Sequence, residues 1–172
     1  SRVIMDRVIP FIEESVAQNQ PFLSIWFHAP HLPVLTGDQY KSVYADLSED
    51  KQNYYGVISA LDEQVGRLRD QLKSLGLAHN TLIFYTSDNG PETSKKVRDK
   101  NIPYGRAQGI TKGLSGRKRS LLEGGIRVPG IIEWPAKIPS GTKVDVPCFT
   151  SDYFPTIAYI LGIDPQKYQR PY

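Results

Sequence analysis

Eight side chains, Tyr54, Val57, Ile58, Leu61, Val65, Leu68, Leu72 and Leu75, fall at offsets 0, 3, 4, 7, 11, 14, 18 and 21 along the chain. That spacing follows a 3.6-residue period, so Ser48 to Leu75 is expected to form one long helix with a single apolar face. Ser48, Glu49 and Asp50 place a capping residue and negative charge at its start, and Gly76 follows as a stop signal. The stripe reads as core packing, with no function of its own.

The rest of the chain is arranged around this helix. Arg2 to Asn19 also reads as helical, with Val8, Phe11, Ile12 and Val16 near helical spacing. Pro10 removes an amide donor, so the helix is expected to kink there or begin close by. Phe22 to Phe27 is a short apolar run suited to a central strand, and Pro30 and Pro33 end regular structure after it. Thr81 to Thr86 reads as a buried strand. Pro91 to Leu114 carries charge and glycines without a usable period and reads as a long loop. Arg127 to Trp134 reads as a strand, and Ser151 to Leu161 as a helix stopped by Gly162. This alternation predicts an α/β fold, a mainly parallel or mixed sheet sandwiched by helices. At 172 residues the chain fits one domain, with no second domain expected.

Composition excludes several classes. No apolar run approaches the ~20 residues that span a bilayer, and no basic-then-apolar segment marks a signal peptide. The chain opens with Ser1 and its only methionine is Met5, which is the pattern expected of a processed or truncated piece of a longer protein. Cys148 is the only cysteine, so no internal disulfide or thiolate metal cluster is available. It is expected to be a small, largely buried thiol. Net charge is +3 but uneven: Lys95 to Arg119 holds nine basic residues and one acid, carrying +8 against −5 elsewhere. Such a local field attracts anions, although most of these side chains read as a solvated loop.

Three groups have the chemistry of a site. Asp88 and Asn89 follow a strand, where ligands gather in open α/β sheets, and both offer hard oxygen ligands suited to Ca²⁺ or Mg²⁺. The Asp-Asn-Gly sequence also suits a plain turn. His28 and His31 follow the other strand and supply a general acid or base near neutral pH, or a donor to an anionic oxygen. Gly113 to Pro129 combines glycines that permit close backbone approach with the positive charge of Lys118. The segment lacks the Gly-x-x-x-x-Gly-Lys-Ser/Thr spacing of a nucleotide-binding loop. Metal oxygens, an imidazole and an ammonium converging at one rim suit a tetrahedral oxyanion ester.

Four stretches carry a resemblance. They are Phe22 to Pro33 with its Pro-His-x-Pro turn, Tyr54 to Gly76, Thr81 to Pro91 with Ser-Asp-Asn-Gly, and Leu114 to Pro129 with Gly-x-Lys-x-Ser-x-x-Glu-Gly-Gly-x-Arg-Val-Pro. In this order they resemble the middle-to-late part of a sulfatase of the arylsulfatase type, within the alkaline phosphatase superfamily. The resemblance implies an incomplete alkaline phosphatase-like catalytic domain over residues 1–172. It implies that Asp88 and Asn89 complete a Ca²⁺ site (Mg²⁺ less so), and that His31 and Lys118 contact the sulfate and act in catalysis. His28 is left as a pocket residue. Glu123, Gly124, Gly125 and Arg127 read as structural, while Arg117 and Arg119 either add substrate contacts or face solvent. The family's formylglycine nucleophile arises in a Cys/Ser-x-Pro/Ala-x-Arg motif. Cys148 is followed by Phe149-Thr150-Ser151-Asp152, so that residue is expected outside this chain, in the N-terminal part. The implied substrate is a sulfated small molecule or sulfated sugar, with no nucleic-acid partner. The implied compartment is secreted, periplasmic or lysosomal. Rival readings are a phosphodiesterase or phosphomutase of the same superfamily, a polyanion-binding module, and a catalytically dead homologue.

Overall fold

The computed structural model describes residues 1–20, 23–92 and 108–168. Its contacts divide the chain into two compact units, Ser1–Ile138 and Pro139–Tyr172. The first unit contains helices α1 (Arg2–Ala17), α2 (Asp38–Lys41), α3 (Glu49–Ser74) and α4 (Glu123–Ile126), and strands β1 (Ile83–Thr86) and β2 (Gly130–Glu133). The second contains α5 (Tyr153–Ile160), flanked by short 3-10 turns at Thr150–Asp152 and Pro165–Tyr168.

The long helix forms where the stripe requires it. Tyr54, Val57, Leu61 and Leu72 are buried, whereas Ile58 and Leu75 at the margins stay open to solvent. Ser48 occupies the capping position without a side-chain capping bond. Gly76 ends the helix at φ +70. Its amide donates to Lys73 O at 3.0 Å and the Leu77 amide to Leu72 O at 2.8 Å, the paired reverse bonds that satisfy terminal carbonyls. Asn19 at the end of α1 and Gly162 at the end of α5 use the same positive-φ device. Pro10 lies inside α1, which continues through it.

Two apolar clusters organise the first unit. Met5, Val8 and Ile12 of α1 pack with Leu72 of α3, joined by Leu23, Ile25, Phe27 and Ile83. Val34, Tyr54 and Val57 form the second, with Ala29, Leu32 and Tyr55 against it. Polar pairs fasten the helices across the first cluster: Arg67 bonds Asp6 at 2.8 Å and Gln71 bonds Glu13 at 2.8 Å. Arg69 grips both carboxylate oxygens of Glu133 at 3.0 Å, tying α3 to β2.

Of the mainly parallel or mixed sheet expected, the described residues show only a small part. Among the described residues it is a single antiparallel pair, with Ile83 opposite Glu133 and Thr86 opposite Gly130. Residues 23–28 alternate inward and outward as a strand does, yet they are not part of a ladder. Phe22 and most of the expected 91–114 loop lie outside the described residues. Cys148 departs from expectation as well: it is exposed, because 141–149 is an irregular stretch of the second unit with no core around it. No described helix is long and apolar enough to cross a membrane.

Candidate functional site

The turn after β1 presents the two expected metal ligands. Ser87 donates its hydroxyl to Asn89 O at 3.2 Å, and Asn89 Nδ2 donates to Gly90 O at 2.9 Å. With its nitrogen engaged in the turn, Asn89 retains Oδ1 as an acceptor, beside the exposed carboxylate of Asp88. These are hard oxygen donors of the type Ca²⁺ prefers, but they are a partial set, since the ion takes about six to eight. Among the described residues no cluster of three or more His, Cys, Asp or Glu forms a metal cage.

The segment carrying Lys118 is stapled to this turn by main-chain bonds. The Gly90 amide donates to Gly125 O at 2.8 Å, and the Lys118 amide donates to Pro91 O at 2.9 Å. Within the segment, Gly124 donates to Ser115 O at 2.7 Å. The packing explains the glycines. A Cβ at Gly124 would lie 2.1 Å from Gly116 O, and one at Gly125 would lie 2.1 Å from Ser120 O. Glu123 and Arg127 pair with each other at 3.2 Å across one helical turn. The structural reading of these four residues therefore has a direct geometric cause.

Lys118 lines an open concavity with Thr111, Leu114, Gly116, Arg117, Arg119 and Ser120. It is half-buried, and its ammonium has no hydrogen bond or ion pair among the described residues. Its neighbours are engaged. Arg117 donates from Nε to Glu92 O at 2.9 Å and from its terminal nitrogen to Gly109 O. Arg119 pairs with the Glu92 carboxylate at 2.5 Å. Arg119 faces solvent as one of the alternatives expected, while Arg117 also takes up two carbonyls that neither alternative named. No sequence pattern marks Glu92, 25 residues from Arg117, as their common partner.

His31 sits in the turn between the cis bonds Ala29-Pro30 and Leu32-Pro33. Its amide donates to His28 O at 2.9 Å, and the two rings lie 4.9 Å apart. His28 Nε2 and His31 Nδ1 both approach Leu32 O, at 2.8 and 3.3 Å. A carbonyl only accepts, so each ring donates through that nitrogen. Neutral His31 then keeps Nε2 as an acceptor, and the imidazolium gains a second donor there.

Tyr54 connects the histidine turn to the lysine segment. It belongs to the apolar cluster that carries Ala29 and Leu32. Its hydroxyl also abuts Gly109, where a Cβ would come within 2.7 Å of it. Burial pushes the Tyr54 phenol above its ordinary pKa, while the nearby Arg117 charge pulls the other way. Asp88, Asn89 and Lys118 are thus linked through backbone bonds, while Tyr54 packs with Ala29 and Leu32, the neighbours of the His28–His31 turn. Helical periodicity assigned Tyr54 to packing alone and gave no sign of this second contact.

Known proteins share this arrangement of motifs. The family model described as Sulfatase matches residues 1–163. Steryl-sulfatase of Homo sapiens is 41% identical over 109 residues, covering 63% of this chain and 18% of that protein. Arylsulfatase H of Homo sapiens is 32% identical over 162 residues, covering 93% of this chain and 27% of its own length. The crystal structure of Ps i-CgsB in complex with k-i-k-neocarrahexaose superposes with a TM-score of 0.82 at 31% identity, over 95% of this chain and 34% of that one. The chain therefore spans less than a third of the curated relatives it matches here. With its main-chain stapled turn, its glycine-packed lysine segment and a family match over nearly its whole length, this chain belongs to the sulfatase family.

Proposed function

We propose that this chain supplies the sulfate-contacting side and part of the metal shell of a sulfuric ester hydrolase, whose substrate is a sulfated saccharide. Lys118 carries the reading. A half-buried ammonium with no partner among the described residues is held beside a carboxylate-amide turn by two main-chain bonds. An unpaired cation in a locally positive, open concavity attracts an anionic ligand.

In this reading Lys118 contacts a sulfate oxygen and the leaving oxygen, stabilising charge that develops as the S–O bond breaks. His31, protonated at Nε2, donates to the same leaving oxygen while Leu32 O holds the other side of its ring. Asp88 and Asn89 hold two positions of a calcium shell, and a bound calcium supplies positive charge that offsets that of the sulfate. The formylglycine that sulfatases use as nucleophile belongs to a part of the protein outside this chain. The saccharide assignment is supported by the open form of the concavity and by the carbohydrate bound in the structurally similar Ps i-CgsB.

The test is sulfate release by the full-length protein from an aryl sulfate, a sulfated oligosaccharide and a sulfated steroid, beside a phosphodiester control. Turnover that favours the oligosaccharide and is lost with calcium chelation supports the reading. Preference for the steroid removes the saccharide assignment, and preference for the phosphodiester removes the sulfatase mechanism.

A further inference from the structure

The sequence Arg117-Lys118-Arg119 sets three cations side by side, yet they do three different things. Arg119 is neutralised by the Glu92 carboxylate, whose side chain is only 10% exposed. Arg117 turns inward onto two carbonyls, those of Glu92 and Gly109, which belong to separate stretches of chain. Only Lys118 lacks a side-chain partner among the described residues.

We propose that Arg117 is a positioning residue for Lys118. The statement rests on the reading of Lys118 as a sulfate contact. Two successive residues grip two successive carbonyls: the Lys118 amide takes Pro91 O and Arg117 Nε takes Glu92 O, both at 2.9 Å. The chain at Lys118 is therefore tied to residues 91 and 92, next to the Asp88–Asn89 turn, through the Lys118 amide and the Arg117 side chain. The second arm of Arg117 extends the grip to Gly109 O. Gly109 packs closely here, since a Cβ there would lie 2.5 Å from Pro91 Cβ and 2.7 Å from the Tyr54 hydroxyl.

The chemistry requires arginine. A guanidinium is planar and permanently charged, and it presents donors in a rigid fork that reaches two acceptors. A lysine at 117 offers a point charge on a flexible stem, which reaches one carbonyl at a time and is itself a candidate for the anion.

The experiment uses the full-length enzyme with Arg117→Lys, Arg117→Ala, Lys118→Ala and the double variant Arg117→Lys/Lys118→Ala, with kcat and KM measured on an aryl sulfate. Misplacing a reacting group by about 1 Å costs up to ~10²-fold, so Arg117→Lys is expected to lower kcat roughly 10- to 100-fold. KM is expected to change much less. The double variant should be no slower than Lys118→Ala alone, because residues acting as one unit are not additive. Added guanidinium ion should restore part of the rate to Arg117→Ala and none to Lys118→Ala.

Wild-type kcat in Arg117→Lys, or losses that multiply in the double variant, overturns the proposal while leaving Lys118 in its role. An unchanged rate in Lys118→Ala overturns the proposal together with the sulfate-contact reading. If Arg117→Ala does not fold, the Arg117→Lys comparison and the double variant decide the matter without it.

Discussion

Gly90 donates its amide to the carbonyl of Gly125 at 2.8 Å, and the two backbones approach so closely that a methyl group at Gly90 would lie 2.1 Å from Gly124 O. This contact joins the turn after β1 to the segment that carries Lys118. Gly90→Ala must force the two backbones apart. Overpacking of this kind costs about 1–3 kcal/mol, so thermal unfolding should move to lower temperature. Unchanged melting would mean that the two segments are not in contact.

Lys118 offers a direct check of the chemistry. Removing one contact to transition-state charge typically costs about 10²- to 10³-fold in turnover. Lys118→Ala in the full-length protein should show a loss of that size with its melting temperature preserved, since the ammonium holds no described structural contact. A near-normal rate removes Lys118 from the mechanism.

Asp88→Asn keeps the size of the side chain and removes its charge. Calcium affinity tracks ligand charge, so the variant should release calcium at lower chelator concentrations than the wild type. Equal retention in a chelator titration counts against Asp88 as a ligand.

Tyr54 gives a pH prediction with a definite sign. Burial raises its pKa above the free value of about 10. A raised folded-state pKa means that its contribution to stability is complete below the unfolded pKa and is lost as pH rises through the folded one. Alkaline unfolding of the wild type should therefore include a component that Tyr54→Phe lacks. Melting temperatures of the two proteins from pH 9 to 12 test this, and parallel curves would show that the phenol ionises alike in the folded and unfolded chains, so that burial does not raise it.

Much of this protein was legible in its residues. The period from Tyr54 to Leu75 determined α3, because burial on one face of a helix is a local, repeating requirement. The positive-φ stops at Gly76 and Gly162 were equally local. Sheet pairing was not. The order of elements suggested a mainly parallel or mixed sheet without naming partners, and the pairing of β1 antiparallel with β2 follows from long-range backbone geometry that no local spacing shows. Burial of Cys148 was also misjudged, because a small apolar side chain is buried only where a core exists to receive it.

The sequence by itself determined the family and helices α1, α3 and α5, and it put forward the candidate ligands Asp88, Asn89, His31 and Lys118, since motif chemistry is written in residue type and spacing. Tertiary structure alone decided which of the three neighbouring cations is left without a partner. That depends on Glu92 and Gly109 arriving beside Arg117 from other parts of the chain, and such partnerships have no local spacing to reveal them.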